Sequence, residues 1–225
     1  MTLTTQKQKA FIFDLNGTMI DDMQYHITAW SDILNNELHA NLSREQVKEQ
    51  MYGKNEEVLV RIFGEGKFSL EEMQHLSIEK EKKYQQIFLP HLKLIDGLQD
   101  FLQQSFQQNI LLAIGSAAIN FNIDFVLDNL NIRKYFAAIV SADDVDKSKP
   151  NPETYLKVAE KLQKNTSDCI VFEDAPKGVE AAANANMQCV VIKTMHEQNE
   201  FAAYKNTIAF INNYHNLSIQ KLLQH

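Results

Sequence analysis

Two cysteines, four prolines and seven glycines in 225 residues are few. The chain also lacks any internal repeat, low-complexity tract or long charged tail. Cys169 and Cys189 both sit in apolar, strand-like surroundings, so they read as two buried free thiols, not as a disulfide or a metal pair. A cytoplasmic protein is expected from that. No stretch approaches the roughly 20 apolar residues of a membrane span. The polar start, residues 1–9, has no signal-peptide character. Basic charge is short as well: 22 Lys and Arg face 29 Asp and Glu, a net charge of −7. That balance argues against nucleic acid or an anionic membrane as the main partner.

What is present belongs to a globular protein, with 44% hydrophobic and 23% charged residues. The length allows one large domain or two small ones. Short β-rich runs at 10–14, 110–114, 138–140, 169–172, 189–192 and 208–211 alternate with helical or turn segments from residue 110 onward. This pattern predicts βαβ units: an α/β fold with a Rossmann-like parallel sheet and helices on both faces. Residues 22–89 break the rhythm, reading as helices at 23–37, 43–51, 56–63 and 69–88 with no strand between them. Ser43 with Gln46, and Ser69 with Glu72, have capping-box spacing. Pro90 and Asp96-Gly97 mark the return. The expected organisation is a core of residues 1–20 and 90–225, with an all-helical domain, 21–89, inserted.

Four separated segments each place a polar group after an apolar strand. They are Asp14 with Asn16 and Thr18, Ser116 after 111–115, Lys149 in Lys147-Ser148-Lys149-Pro150, and Glu173-Asp174 after 169–172. Taken singly, strand-end Asp and Ser residues ordinarily cap helices or make turns, and lysines ordinarily sit in solvent. In this order and placement, over nearly the whole chain, they resemble the four motifs of the haloacid dehalogenase superfamily. The run Asp14 to Trp30, with Tyr25-His26-x-x-Ala29-Trp30, resembles its β-phosphoglucomutase and sugar-phosphatase branch. So do Gly115-Ser116-Ala117, Ser148-Lys149-Pro150-x-Pro152 and Phe172-Glu173-Asp174-Ala175-x-x-Gly178.

The resemblance implies a helical cap domain and Mg²⁺ as cofactor, a hard ion content with few carboxylates and retained waters. Asp14 would be nucleophile and metal ligand, and Asp174 a second ligand. Asn16 would bind the metal through its backbone carbonyl. Glu173 would be a ligand or would orient a metal water. Lys149 would place positive charge on the transferring phosphoryl group and on Asp14. Ser116, with backbone N–H groups at Ala117, would grip a phosphoryl oxygen. Thr18, His26 and Lys54 complete the implied substrate-binding set. The chemistry is phosphoryl transfer through an aspartyl-phosphate: a phosphatase of small phosphorylated metabolites, or alternatively a hexose phosphate mutase or a phospho-ligand binding protein. A monomer is expected.

One residue departs from the pattern. Most relatives carry aspartate where Asn16 stands, and that carboxyl protonates the leaving oxygen. An amide can orient a group but cannot exchange its proton near neutral pH. Losing a placed general acid lowers rates by roughly 10²–10⁴. Four explanations stay open: a native amide in a working or slow enzyme, an introduced substitution, a binding module, or deamidation at Asn16-Gly17. The first is favoured. Asp21, Asp22 and His26 are the candidate substitute acids, His26 being the best placed by pKa. In the loop Gly53-Lys54-Asn55-Glu56, Glu56 falls near the arginine position of β-phosphoglucomutases, whose absence weakens the mutase reading.

Overall fold

The computed structural model describes residues 8–225, so most of the polar start, residues 1–7, lies outside the described residues. The described residues form two compact units, one of residues 8–21 and 93–225, the other of residues 22–92.

In the first unit the described residues form a six-stranded sheet. Its strands are β1 (Ala10–Phe13), β2 (Leu111–Gly115), β3 (Phe136–Val140), β4 (Cys169–Glu173), β5 (Gln188–Ile192) and β6 (Thr207–Ile211), in the order β3-β2-β1-β4-β5-β6. Every neighbouring pair is parallel. The chain runs outward from β1 through β2 and β3, then returns to β4 on the other side of β1. This creates the crevice at the strand C-termini where such sheets bind ligands. β1 is buried at all four positions. Phe11 and Phe13 point to one face, against Phe101, Phe172 and Tyr214. Ala10 and Ile12 point to the other, in a core with Val140, Tyr155, Val171 and Val179. Burial on both faces explains why the strand reads as an unbroken apolar run.

The second unit holds α1 (Met23–Ser31), α2 (Arg44–Gln50), α3 (Asn55–Phe63) and α4 (Leu70–Phe88). α1 runs on into a π-helical stretch, Asp32–Glu37, so the 23–37 segment is helical but changes its hydrogen bonding partway. Both capping boxes form: Ser43 and Ser69 side chains accept the N–H of Gln46 and Glu72, whose side chains return to the cap N–H.

Back in the first unit, α5 (Leu98–Gln107), α6 (Asn120–Asn129), α7 (Glu153–Lys161) and α8 (Pro176–Asn184) lead into β2, β3, β4 and β5 respectively. All four close on a residue in the left-handed region, Asn109, Asn131, Gln163 and Asn186, with φ of 55–58°. Each closure has the paired 5→2 and 6→1 bonds of a Schellman motif, as in Gln163 N–H to Glu160 O and Lys164 N–H to Ala159 O, both 2.9 Å. Where the chain leaves and re-enters this unit, Ile20 and Leu94 form an antiparallel bridge, and Ile95 N–H donates to Met19 O at 2.9 Å. Cys169 and Cys189 are free and buried. Burial pushes the Cys169 thiol up to about 11 and raises Cys189 too, as befits packing groups. No helix among the described residues is long and apolar enough to cross a membrane.

Candidate active site

Asp14 stands one residue past β1, its backbone N–H still donating to Phe172 O of β4 at 3.0 Å. Its carboxylate is buried beside the Lys149 ammonium, which donates to Asp14 Oδ1 and Glu173 Oε1, both at 2.7 Å, and to Gly115 O at 3.2 Å. A single cation thus ties together the ends of β1, β2 and β4. Burial raises the Asp14 carboxyl to about 6, Lys149 opposing the rise and Glu173 adding to it. Burial alone would lower the Lys149 ammonium, but the two carboxylates outweigh it and hold it above the usual lysine range.

Glu173 is taken up entirely by protein donors. Oε1 accepts from Lys149 and from the Tyr155 hydroxyl at 2.9 Å, and Oε2 accepts the N–H groups of Asp174 and Ala175 at 2.9 and 3.0 Å. The Tyr155 ring also lies 4.7 Å from the Lys149 ammonium. Gly178 on α8 is required here, because a Cβ would stand 1.7 Å from Glu173 Oε1.

Asp174 lies against the turn that follows Asp14. Thr18 Oγ1 donates to Asp174 Oδ1 at 3.3 Å, and Thr194 Oγ1 reaches both Gly17 O at 2.8 Å and Asp174 Oδ2 at 3.4 Å. Gly17 has a φ of +73°, and a Cβ on it would meet Asp174 Oδ2 at 2.0 Å, so only glycine fits between Asn16 and Thr18. Ser116 is buried in the turn after β2; its hydroxyl accepts Ala118 N–H at 3.2 Å and steadies the Asp14 carboxylate. Ala117 follows it with an exposed side chain.

Asp14, Ser116, Lys149, Glu173, Asp174 and Thr18 are therefore linked by direct contacts at one sheet edge. His26 and Lys54 belong to the helical unit. His26 Nδ1 lies 2.7 Å from Lys80 Nζ, its Nε2 lies 3.3 Å from Asp22 Oδ2, and its ring stacks on Tyr84 at 3.8 Å. Burial pulls the Lys80 ammonium down, and Lys80 also donates to Glu81 at 3.0 Å. Lys54 precedes α3, its backbone N–H donating to Glu57 Oε2 at 3.1 Å.

The Asp14 and Asp174 carboxylates, just after β1 and β4, are buried oxygen donors, the ligand type a hard ion such as Mg²⁺ takes. Among the described residues no group of three His, Cys, Asp or Glu side chains is arranged to hold a metal. Asp14 and Glu173 share the Lys149 ammonium, which leaves one negative charge in excess when both are ionised, and Asp174 is a further buried carboxylate. The residues fit Mg²⁺.

Tyr155 and Thr194 escaped the sequence reading. Thr194 follows β5 as the other site groups follow their strands, so the same strand-end rule could have found it. Tyr155 sits inside a helix and carries no such signal.

The sequence profile of the haloacid dehalogenase-like hydrolases matches residues 11–192. The β-phosphoglucomutase of Bacillus subtilis is 33% identical over 196 residues, covering 81% of this chain and 82% of that protein. The fructose-1-phosphate phosphatase of Escherichia coli is 27% identical, over 84% of this chain and 99% of its own. Among solved structures, a family IA haloacid dehalogenase hydrolase from Entamoeba histolytica superposes with a TM-score of 0.86 at 26% identity, covering 96% of this chain and 98% of that one. On these matches the chain belongs to the haloacid dehalogenase-like hydrolase family.

Proposed function

We propose that the protein is a Mg²⁺-dependent phosphatase of small phosphorylated metabolites, sugar phosphates foremost, working through an aspartyl-phosphate on Asp14. The observation that carries this is the Lys149 ammonium held 2.7 Å from both Asp14 and Glu173. A dianionic phosphate ester repels an attacking carboxylate, and a fixed cation on the nucleophile removes that repulsion where charge develops. Asp14 attacks phosphorus, while Lys149 and the Ser116 hydroxyl, with the N–H of Ala117, hold the phosphoryl oxygens. Mg²⁺, held by Asp14, Asp174 and the Asn16 carbonyl, would supply further charge neutralisation on the phosphoryl group. Glu173, with both oxygens occupied, fixes Lys149 instead of binding the ion directly. The family resemblance implies that the helical unit is a cap domain, and His26 and Lys54 belong to that unit. The free thiols of Cys169 and Cys189 suit a reducing cytoplasm.

A hexose phosphate mutase is the second reading, favoured by the 33% identity to a β-phosphoglucomutase. Incubating the protein and Mg²⁺ with a panel of phosphate esters separates the two. Released phosphate, lost in Asp14→Ala, is the expected result; isomerised glucose phosphate without phosphate release would replace the first reading with the second.

A further inference from the structure

The turn that follows Asp14 is tied down from three distant places. Its successive carbonyls at Gly17, Thr18 and Met19 accept from the Thr194 hydroxyl at 2.8 Å, the Tyr214 hydroxyl at 2.9 Å and the Ile95 N–H at 2.9 Å. Inside the turn, Gly17 N–H donates to Ile20 O and Met19 N–H to Leu15 O, both at 2.8 Å. The two hydroxyls come from segments 177 and 196 residues away in sequence.

Thr194 does more than hold a carbonyl. Its Oγ1 also lies 3.4 Å from Asp174 Oδ2, while Thr18 Oγ1 approaches Asp174 Oδ1 at 3.3 Å. Contacts of that length are long for a hydroxyl on a carboxylate, so they orient Asp174 more than they neutralise it. Asp174 Oδ2 also fills the space beside Gly17, where a Cβ would stand 2.0 Å from it. Thr194, Gly17 and Asp174 therefore make one mutual contact, and a shift of the turn is felt at the carboxylate. Thr194 is itself fixed by the sheet. It stands two residues past β5, where Lys193 N–H donates to Ile211 O of β6 at 2.8 Å and Thr194 N–H to Ile192 O at 3.2 Å.

We infer that Thr194 is a positioning residue for the metal: its hydroxyl fixes Asp174 against the turn that begins at Asp14, so that the two carboxylates meet Mg²⁺ already arranged. The inference rests on the reading above in which Asp14 and Asp174 hold Mg²⁺. Hydrogen-bond partners of ligating carboxylates are ordinarily worth about 10–100-fold in metal affinity. The role needs the hydroxyl and not the methyl, so serine should serve in its place and valine should not. Tyr214 provides the comparison. Its hydroxyl grips the same turn, but at Thr18 O, one residue beyond the contact between Gly17 and Asp174.

The test titrates Mg²⁺ calorimetrically into the full-length protein after removal of metal by a chelator, and measures kcat and KM for p-nitrophenyl phosphate at saturating Mg²⁺. Thr194→Val is expected to weaken Mg²⁺ binding by about 10–100-fold with KM for the ester little changed. Thr194→Ser should bind Mg²⁺ as the parent does, and Tyr214→Phe should lose less affinity than Thr194→Val. Thr194→Ala repeats the deletion of the hydroxyl should valine prevent folding. Unchanged Mg²⁺ affinity in the variants without the hydroxyl overturns the inference. So does a loss in Thr194→Ser or Tyr214→Phe as large as in Thr194→Val, which would mark a merely structural role. Asp174→Ala tests the underlying reading. Affinity kept there removes the metal assignment and the inference with it, whereas affinity lost there but kept in Thr194→Val removes the positioning role alone.

Discussion

Lys149 separates two buried carboxylates that would otherwise repel each other, so its removal is both a chemical and a structural event. Lys149→Ala is expected to abolish turnover and to lower stability by about 3–5 kcal/mol, as when one partner of a buried ion pair is deleted; steady-state kinetics and urea unfolding read the two losses. Gly178 offers a sharper test of site packing. Gly→Ala inside a helix ordinarily stabilises by about 1 kcal/mol. Here the added methyl meets Glu173 Oε1 at 1.7 Å, and Gly178→Ala should instead lose about 1–3 kcal/mol together with activity. Asp14 gives the pH signature. Its carboxyl rises from 3.8 to about 6 on folding, chiefly through burial. The folded protein therefore binds this proton more tightly, and stability from this group falls as pH climbs through that window. Metal-free protein should melt higher at about pH 5 than at about pH 7.5, and Mg²⁺ should raise the melting temperature more at the higher pH. A flat profile in thermal scans would contradict this.

Helix endings explain how a chain with seven glycines closes so many turns. Three of the four Schellman closures ahead of strands use asparagine, the non-glycine residue best suited to the left-handed region. The fourth uses Gln163, for which the conformation carries a strain of about 1 kcal/mol. Gln163→Gly is expected to stabilise by about 0.5–1 kcal/mol without altering kinetics, measured by urea unfolding. At this level the sequence was informative where side chains cap locally: Ser43, Gln46, Ser69 and Glu72 announced α2 and α4, and the boxes are formed. It was weaker at β3, read from residue 138 but starting at Phe136. This sheet-edge strand is only partly buried, so its apolar pattern fades at one end.

The parallel sheet gathers residues more than 150 positions apart, and no local pattern encodes that gathering. Asp14, Ser116, Lys149 and Glu173-Asp174 were legible because each follows an apolar strand and their order resembles a known family. The contacts of Tyr155, and the reason Gly17 and Gly178 must be glycine, depend on which strands end beside which, and the strand order decides that. The pairing of Ile20 with Leu94, reinforced by Ile95 N–H to Met19 O, has a consequence in polymer terms. It brings together the two ends of the segment 22–92, which is then a closed ring whose ordering must be worked against chain entropy. Replacing that segment by a flexible bridge of about six residues would reduce the closure term by about 2 kcal/mol. A shortened chain that folds cooperatively in circular dichroism would establish the α/β unit as self-sufficient and the clasp as a natural point for grafting other inserts.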